Sequence, residues 1–272
     1  MRRGPQQVAQ AHQNQSMSDL VLTEDRDAVR HVILNRPEKR NAFNLELVRA
    51  VGAALRAAAD DPSVRVVVLR GNGPVFSAGM DIATLGEAAS SASQLRSFRR
   101  DCLDAWNLAE EMLKPTVCVI HGACLGGALE LALACDLRVM AEDAVVGLPE
   151  TRLGLVPDVG GASRLPQIVG VGRAKELILT SRVIGAVDAE RYGLVNRVGG
   201  MQVASALVDE LLGCAPMAVG LAKRLIDASA RPALSTTLEL EASAQEQCMR
   251  SEDVREGVAA AAEKRAPVWR GV

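Results

Sequence analysis

The chain has 272 residues, 49% of them apolar, and its 31 basic and 33 acidic side chains leave a formal charge of −2. This is the composition of a folded globule of one large domain or two small ones, and it excludes disorder along the whole length. With only 2% aromatic residues and no basic excess, the chain lacks the charge and the stacking rings of a nucleic-acid binder, and Ala, Val, Leu and Ile must fill its core.

Residues 1–18 are polar and rich in Gln, without the apolar centre of a secretory signal, and are expected to form a disordered tail. From about residue 20 the pattern alternates. Val29–Leu34 has the period of a strand, with Val29, His31 and Ile33 on one face and Arg30, Val32 and Leu34 on the other. A turn at Arg36-Pro37-Glu38 ends it. Asn44 is placed to cap a helix in which Leu47, Val48, Val51, Leu55 and Ala58 recur at helical spacing up to Asp60-Asp61-Pro62. The β-branched run 64–69, flanked by helical patterns, predicts a buried strand in a parallel sheet with crossover connections. A helix at about 94–112, a second buried strand over Thr116–Ile120 and a helix from about Gly127 to Cys135 follow. After Pro166 the pattern becomes almost wholly helical, with stretches at 173–180, 187–193, 201–213, 216–229, 235–249 and 252–263.

Six cysteines stand at no CxxC spacing and mostly beside apolar residues, the pattern of buried free thiols in a reducing compartment, so a cytoplasmic location is expected. None of His12, His31 and His121 has a second His or a Cys at ligand spacing, so no metal site is expected. No apolar run reaches the length of a membrane span.

Three glycine-containing turns follow strand or strand-like segments, at 71–81, 121–127 and 147–161. In open α/β sheets ligands bind outside the carboxyl ends of strands, so these turns are the candidate site. Small residues at Ala78-Gly79 and Gly126-Gly127 let a ligand oxygen approach the main chain, and a helix starting near Gly127 would point its positive end at it. Two such N–H donors would make an oxyanion hole, although tight turns alone would also account for the glycines. A phosphate loop of the GxxxxGK[ST] type is absent, Gly71-Asn72-Gly73 lacks the third glycine of a dinucleotide fingerprint, and Val75 occupies the first glycine place of a GxSxG elbow around Ser77. What remains is carboxylate. Glu130 sits alone in the apolar run 128–134, and Glu150 follows Gly147-Leu148-Pro149. Each is an ordinary surface or paired acid unless it faces a cleft, where burial would raise its pKa to a useful value.

The segments Phe76-Ser77-Ala78-Gly79-Met80-Asp81-Ile82, His121 to Ala132, and Pro149 to Pro157 together resemble the crotonase superfamily, also called the enoyl-CoA hydratase/isomerase family. The resemblance runs from about residue 20 to 270 and takes in Asn35-Arg36-Pro37, Asn41-Ala42 and Glu263-Lys264-Arg265. It implies an α/β fold, a spiral of ββα units over 19–200, followed by a helical trimerisation region over 201–272. It also implies a homotrimer or dimer of trimers. By resemblance, the N–H groups of Ala78 and Gly127 hold the thioester oxygen of an acyl-CoA. Arg40, Ala42, Met80, Asp81, Ile82 and Lys264 lie along the CoA moiety, and Gly126 and Pro149 count among the substrate-binding residues. Ala261 departs from the aromatic residue often found three places before that lysine. The segment 85–100 would wall the acyl pocket, and coenzyme A is part of the substrate, so no separate cofactor is expected.

The implied activity is hydration of a 2-enoyl-CoA, with Glu130 and Glu150 holding a water and Glu150 delivering a proton to C2. Asp158 stands where dienoyl-CoA isomerases of the family place a catalytic acid, so an isomerase using Glu150 and Asp158 is the alternative. Asp158 also has the character of an N-cap for 159–168. A more distant alternative is a non-catalytic RNA-binding member, for which Arg96, Arg99 and Arg100 are the only candidate surface. Their pattern reads more simply as the solvated face of a helix.

Overall fold

The computed structural model describes residues 20–88, 90–230 and 234–268. The tail expected at 1–18 lies outside them. In chain order the elements are β1 (Val21–Arg26), β2 (Val29–Leu34), α1 (Leu45–Asp60), β3 (Val66–Gly71), α2 (Ile82–Ala88), α3 (Ala92–Glu111), β4 (Thr116–Ile120), β5 (Ala123–Leu125) and α4 (Gly127–Ala134). Then come β6 (Leu137–Met140), β7 (Val145–Gly147), α5 (Gly161–Val169), α6 (Val171–Leu179), β8 (Val183–Gly185), α7 (Ala186–Arg191) and β9 (Arg197–Val198). Four helices close the described chain: α8 (Gly200–Leu212), α9 (Pro216–Ala230), α10 (Leu234–Arg250) and α11 (Glu252–Glu263).

The large sheet has the order β1-β2-β3-β4-β6-β9. It is parallel from β2 onward, as the β-branched runs predict, whereas β1 pairs antiparallel with β2 in a hairpin. Both faces of the sheet are covered. Val32, Leu34, Val67, Leu69, Cys118 and Ile120 enter the main core, which also holds the buried faces of α1, α3 and α4. Val29, Val66, Val68, Val117 and Val119 pack instead with Ala204, Leu207 and Val208 of α8. Asn44 caps α1 as expected, accepting from the Leu47 N–H at 3.0 Å.

A second, shorter ladder gives the fold its spiral. Its strands are β5, β7 and β8, and the isolated bridges Ser77–Cys124 and Phe43–Met80 extend it. Three strands of the large sheet lead into a short segment of the second ladder before a helix begins, the repeat of a ββα unit: β2, then Phe43, then α1; β3, then 77–80, then α2; β4, then β5, then α4.

Beyond the three strands expected at 29–34, 64–69 and 116–120, the described residues form six more, β1 and β5 to β9. β1 is an edge strand with mostly exposed side chains, so no apolar alternation marks it. β8 and β9, with three and two residues, interrupt the helical last third; runs so short show no period. Four of the six thiols are buried, but Cys214 is exposed and Cys248 half-buried.

Asn41 ties this architecture to the site. It is fully buried in the left-handed region at φ 53°. Its Nδ2 donates toward the carbonyls of Asn72, Val75 and Phe76 at 2.8–3.0 Å, and its Oδ1 accepts from the Arg36 N–H at 2.8 Å. Asn41→Ala leaves these backbone groups without partners and is expected to destabilise the protein by about 2–4 kcal/mol. A lower urea midpoint at unchanged slope would check this.

Candidate active site

The second ladder sets three turns side by side. The Ser77 N–H donates to the Ala123 carbonyl at 3.0 Å, Leu125 N–H to Ser77 at 3.3 Å and Gly126 N–H to Gly147 at 2.9 Å. Segments 77–81, 124–127 and 147–150 thereby converge. Gly126 has φ +55°, and a Cβ on it would lie 2.9 Å from Glu150 Oε1. A Cβ on Gly79, at φ +95°, would lie 2.6 Å from the Leu125 carbonyl. These two positions need glycine for conformation and for room.

The amides differ from expectation in one respect. The Ala78 N–H donates to the Arg40 carbonyl at 2.9 Å, so it is not available to a ligand. Met80 sits between two bridge hydrogen bonds, Phe43 N–H to Gly79 and Asp81 N–H to Phe43. In a parallel bridge its own N–H points to the opposite side, and it has no backbone partner among the described residues. Gly127 is the first residue of α4, where the N–H has no partner within the helix. The Met80 side chain lies against it, since a Cβ at 127 would stand 2.5 Å from Met80 Cε. The open amides of the two turns are therefore those of Met80 and Gly127. One sequence cannot phase which residue of Ala78-Gly79-Met80 turns its N–H away from the ladder.

Glu130 is 2% exposed, in the first turn of α4. Its Oε1 accepts from the Val159 N–H at 3.0 Å and the Gly161 N–H at 2.8 Å, which orients the carboxyl and satisfies amides at the start of α5. Asp158 does not cap that helix. The cap position is Gly160, with no side-chain cap bond, and Asp158 lines the cleft with Oδ2 3.8 Å from Arg99 Nε. The expected capping role thus falls to a residue 28 positions earlier, which local pattern cannot reveal.

Glu150 opens a 3-10 turn over Glu150–Leu153. Its Oε2 is sealed from solvent and without a hydrogen-bond partner. Burial pushes the carboxyl pKa up to about 8, against the pull of its own backbone N–H and with added repulsion from Asp158.

Ala78, Met80, Gly126, Gly127, Glu130, Pro149, Glu150 and Asp158 line one cleft, whose apolar wall includes Leu85, Leu95, Phe98, Leu155 and Val159. The wall expected from 85–100 is there. Arg99 belongs to it as well: it is 8% exposed, and its Nε donates to the Asp158 carbonyl at 2.7 Å. Arg96 pairs with Glu246. The three arginines do not share the solvated face that their spacing suggests. From α10, the buried Gln245 also lines the cleft, and its Oε1 accepts from the Val156 N–H at 3.0 Å. No motif singles out Arg99 or Gln245.

Of the positions expected along a CoA, Ala42 and Asp81 are joined by Arg36, whose Nη1 is 2.9 Å from the Ala42 carbonyl and 2.9 Å from Asp81 Oδ2. Arg40 is exposed beside them in the left-handed region, and Ile82 is 49% exposed. Lys264 ends α11, exposed, and is not among the residues lining the cleft. No group of three or more His, Cys, Asp or Glu side chains that could hold a metal occurs among the described residues.

Comparison with known proteins gives these residues a context. Residues 24–272 match the family described as enoyl-CoA hydratase/isomerase. A crotonyl-CoA hydratase from Syntrophomonas wolfei is 36% identical over 250 residues, covering 90% of this chain and 95% of that one. An enoyl-CoA isomerase/hydratase from Mycosarcoma maydis is 37% identical, covering 89% of this chain and 93% of its own. The crystal structure of a carnitinyl-CoA hydratase from Mycobacterium avium superposes with a TM-score of 0.82 at 32% identity, covering 93% of this chain and 99% of that chain.

Proposed function

Because this chain belongs to the enoyl-CoA hydratase/isomerase family, whose members act on acyl-CoA thioesters, we propose that it adds water across the C2=C3 bond of a 2-enoyl-CoA. The observation that carries this reading is the pair of carboxyls on one cleft: Glu130, held by two amides, and Glu150, sealed and held protonated near neutral pH. The thioester oxygen sits between the N–H groups of Met80 and Gly127, which replace the Ala78 and Gly127 pair first expected. Charge developing there as an enolate forms is stabilised by about 3 kcal/mol per fixed donor. Glu130 takes a proton from water as its oxygen bonds to C3. Glu150 gives a proton to C2, so the elements of one water are added and the two carboxyls exchange roles. Arg40, Ala42, Asp81 and Ile82 form the rim along which the CoA lies.

Crotonyl-CoA offered to the purified protein is expected to lose the absorbance of its conjugated thioester at a rate proportional to enzyme. No loss would overturn the hydratase reading. A second reading follows from Asp158, which faces the cleft beside Glu150: migration of a double bond, with these two acids removing and returning the proton. A 3-enoyl-CoA gaining conjugation faster than crotonyl-CoA loses it would favour that reading. A homotrimer or dimer of trimers is part of the proposal, supported by Met217, Leu221 and Leu225, which are 78%, 51% and 71% exposed at helical spacing on α9.

A further inference from the structure

A cavity of about 350 Å³ lies on the face of the large sheet that packs against α8, not on the face that carries the catalytic cleft, and Arg26, His31, Arg70, His121 and the first residues of α8 line it. The strand register explains the grouping. His31 on β2 is level with Val68 on β3, and Arg70 is level with Val119 on β4. His31, Arg70 and, two residues past Val119, His121 therefore project from the same face near the carboxyl ends of the strands. That face is otherwise aliphatic. Arg70 and the two histidines thus gather where the valine layer ends and α8 begins.

Three features converge on the cavity. The 13-residue helix α8 starts there at Gly200, its N-cap Gly199 provides no side-chain cap, and its first-turn N–H groups carry the positive end of the helix dipole. His31 is only 6% exposed and lines the cavity, and its Nδ1 is sealed from solvent with no hydrogen-bond partner. Because Nδ1 has no accessible surface, a ligand in the cavity meets the ring only through its other edge. The guanidinium groups of Arg26 and Arg70 supply two forks suited to a multiply charged oxyanion. Among the described residues Glu24 is the acid paired with both, its Oε2 lying 3.3 Å from Arg26 Nη2 and 3.2 Å from Arg70 Nη2. Asp25 is engaged with Arg30 at 2.7 Å.

We propose that this cavity binds a phosphate group, held by Arg26, Arg70, His31 and the N-terminal amides of α8. The space exceeds that of a few waters, and Val119 and Met201 give it an apolar side. Both the free ion and a phosphate monoester present the chemistry these groups recognise.

Calorimetric titration of the full chain with inorganic phosphate at low ionic strength is expected to show saturable binding. The double variant Arg26→Gln, Arg70→Gln is expected to weaken it by about tenfold or more, with an unchanged thermal midpoint in phosphate-free buffer. Glu24→Gln removes the competing carboxylate and is expected to tighten binding by about threefold, a gain that misfolding cannot produce. Phenyl phosphate binding more tightly than inorganic phosphate identifies a monoester as the ligand, and equal affinities identify the free ion; both support the site. The proposal is overturned if neither probe binds saturably at millimolar concentration. It is equally overturned if binding ignores both the arginine and the Glu24 substitutions, because the phosphate then sits elsewhere.

Discussion

Glu130→Gln is expected to lower kcat for crotonyl-CoA hydration by about 10²–10⁴-fold while KM stays within a few-fold. The substitution isolates the proton. A glutamine Oε1 can still accept from the Val159 and Gly161 N–H groups that now hold the carboxyl at 3.0 and 2.8 Å, so the turn before α5 keeps its anchor and the thermal midpoint should barely change. The amide cannot take a proton from water. Because the Met80 and Gly127 amides remain, thioester binding is preserved and the loss falls on the chemical step. An unchanged rate would sink the two-glutamate mechanism and leave the amides as the whole of the catalytic apparatus.

The second large effect concerns Glu150 and pH. With its carboxyl held at about 8, the protonated form predominates at neutral pH, and kcat/KM for hydration is expected to fall as pH rises through that value. Glu150→Gln should lower the rate by about 10²–10⁴-fold and abolish this limb of the profile. Stability supplies an independent readout. The ordinary value is 4.5 and the folded value about 8, so below 4.5 folded and unfolded chains both carry the proton. Between the two values the unfolded chain binds fewer protons than the folded one, and stability falls as pH rises; above the folded value the loss is complete. Glu150→Gln removes the titrating group. Its thermal midpoint relative to wild type should therefore be more favourable at about pH 9 than at about pH 5. A wild-type profile flat from neutral to alkaline pH would mean that Glu150 does not serve as the acid.

These two carboxyls were legible from their neighbours: Glu130 breaks an apolar run, and Glu150 follows the turn Gly147-Leu148-Pro149. The helices of the last third were legible for a related reason, since their spacing repeats over several turns. By contrast, β1 carries its charged side chains outward, and β8 and β9 are shorter than any period. Arg99 illustrates the limit most clearly. Its neighbours Arg96 and Arg100 suggest a solvated stripe, yet one guanidinium turns inward to hold the Asp158 carbonyl, a residue 59 positions away.

The sequence by itself determined the kind of fold, the glycine turns that open the main chain, and the two acids that stand out beside them, because propensity, periodicity and conformational freedom act over a few neighbouring residues. Only the tertiary structure decided that Met80 offers its N–H where Ala78 is bonded to Arg40, that Glu130 caps the turn expected of Asp158, and that Arg99 and Gln245 enclose the cleft. Each of these depends on ladder register or on contacts between residues far apart in the chain. Such contacts arise only when packed elements bring their backbones within hydrogen-bonding distance.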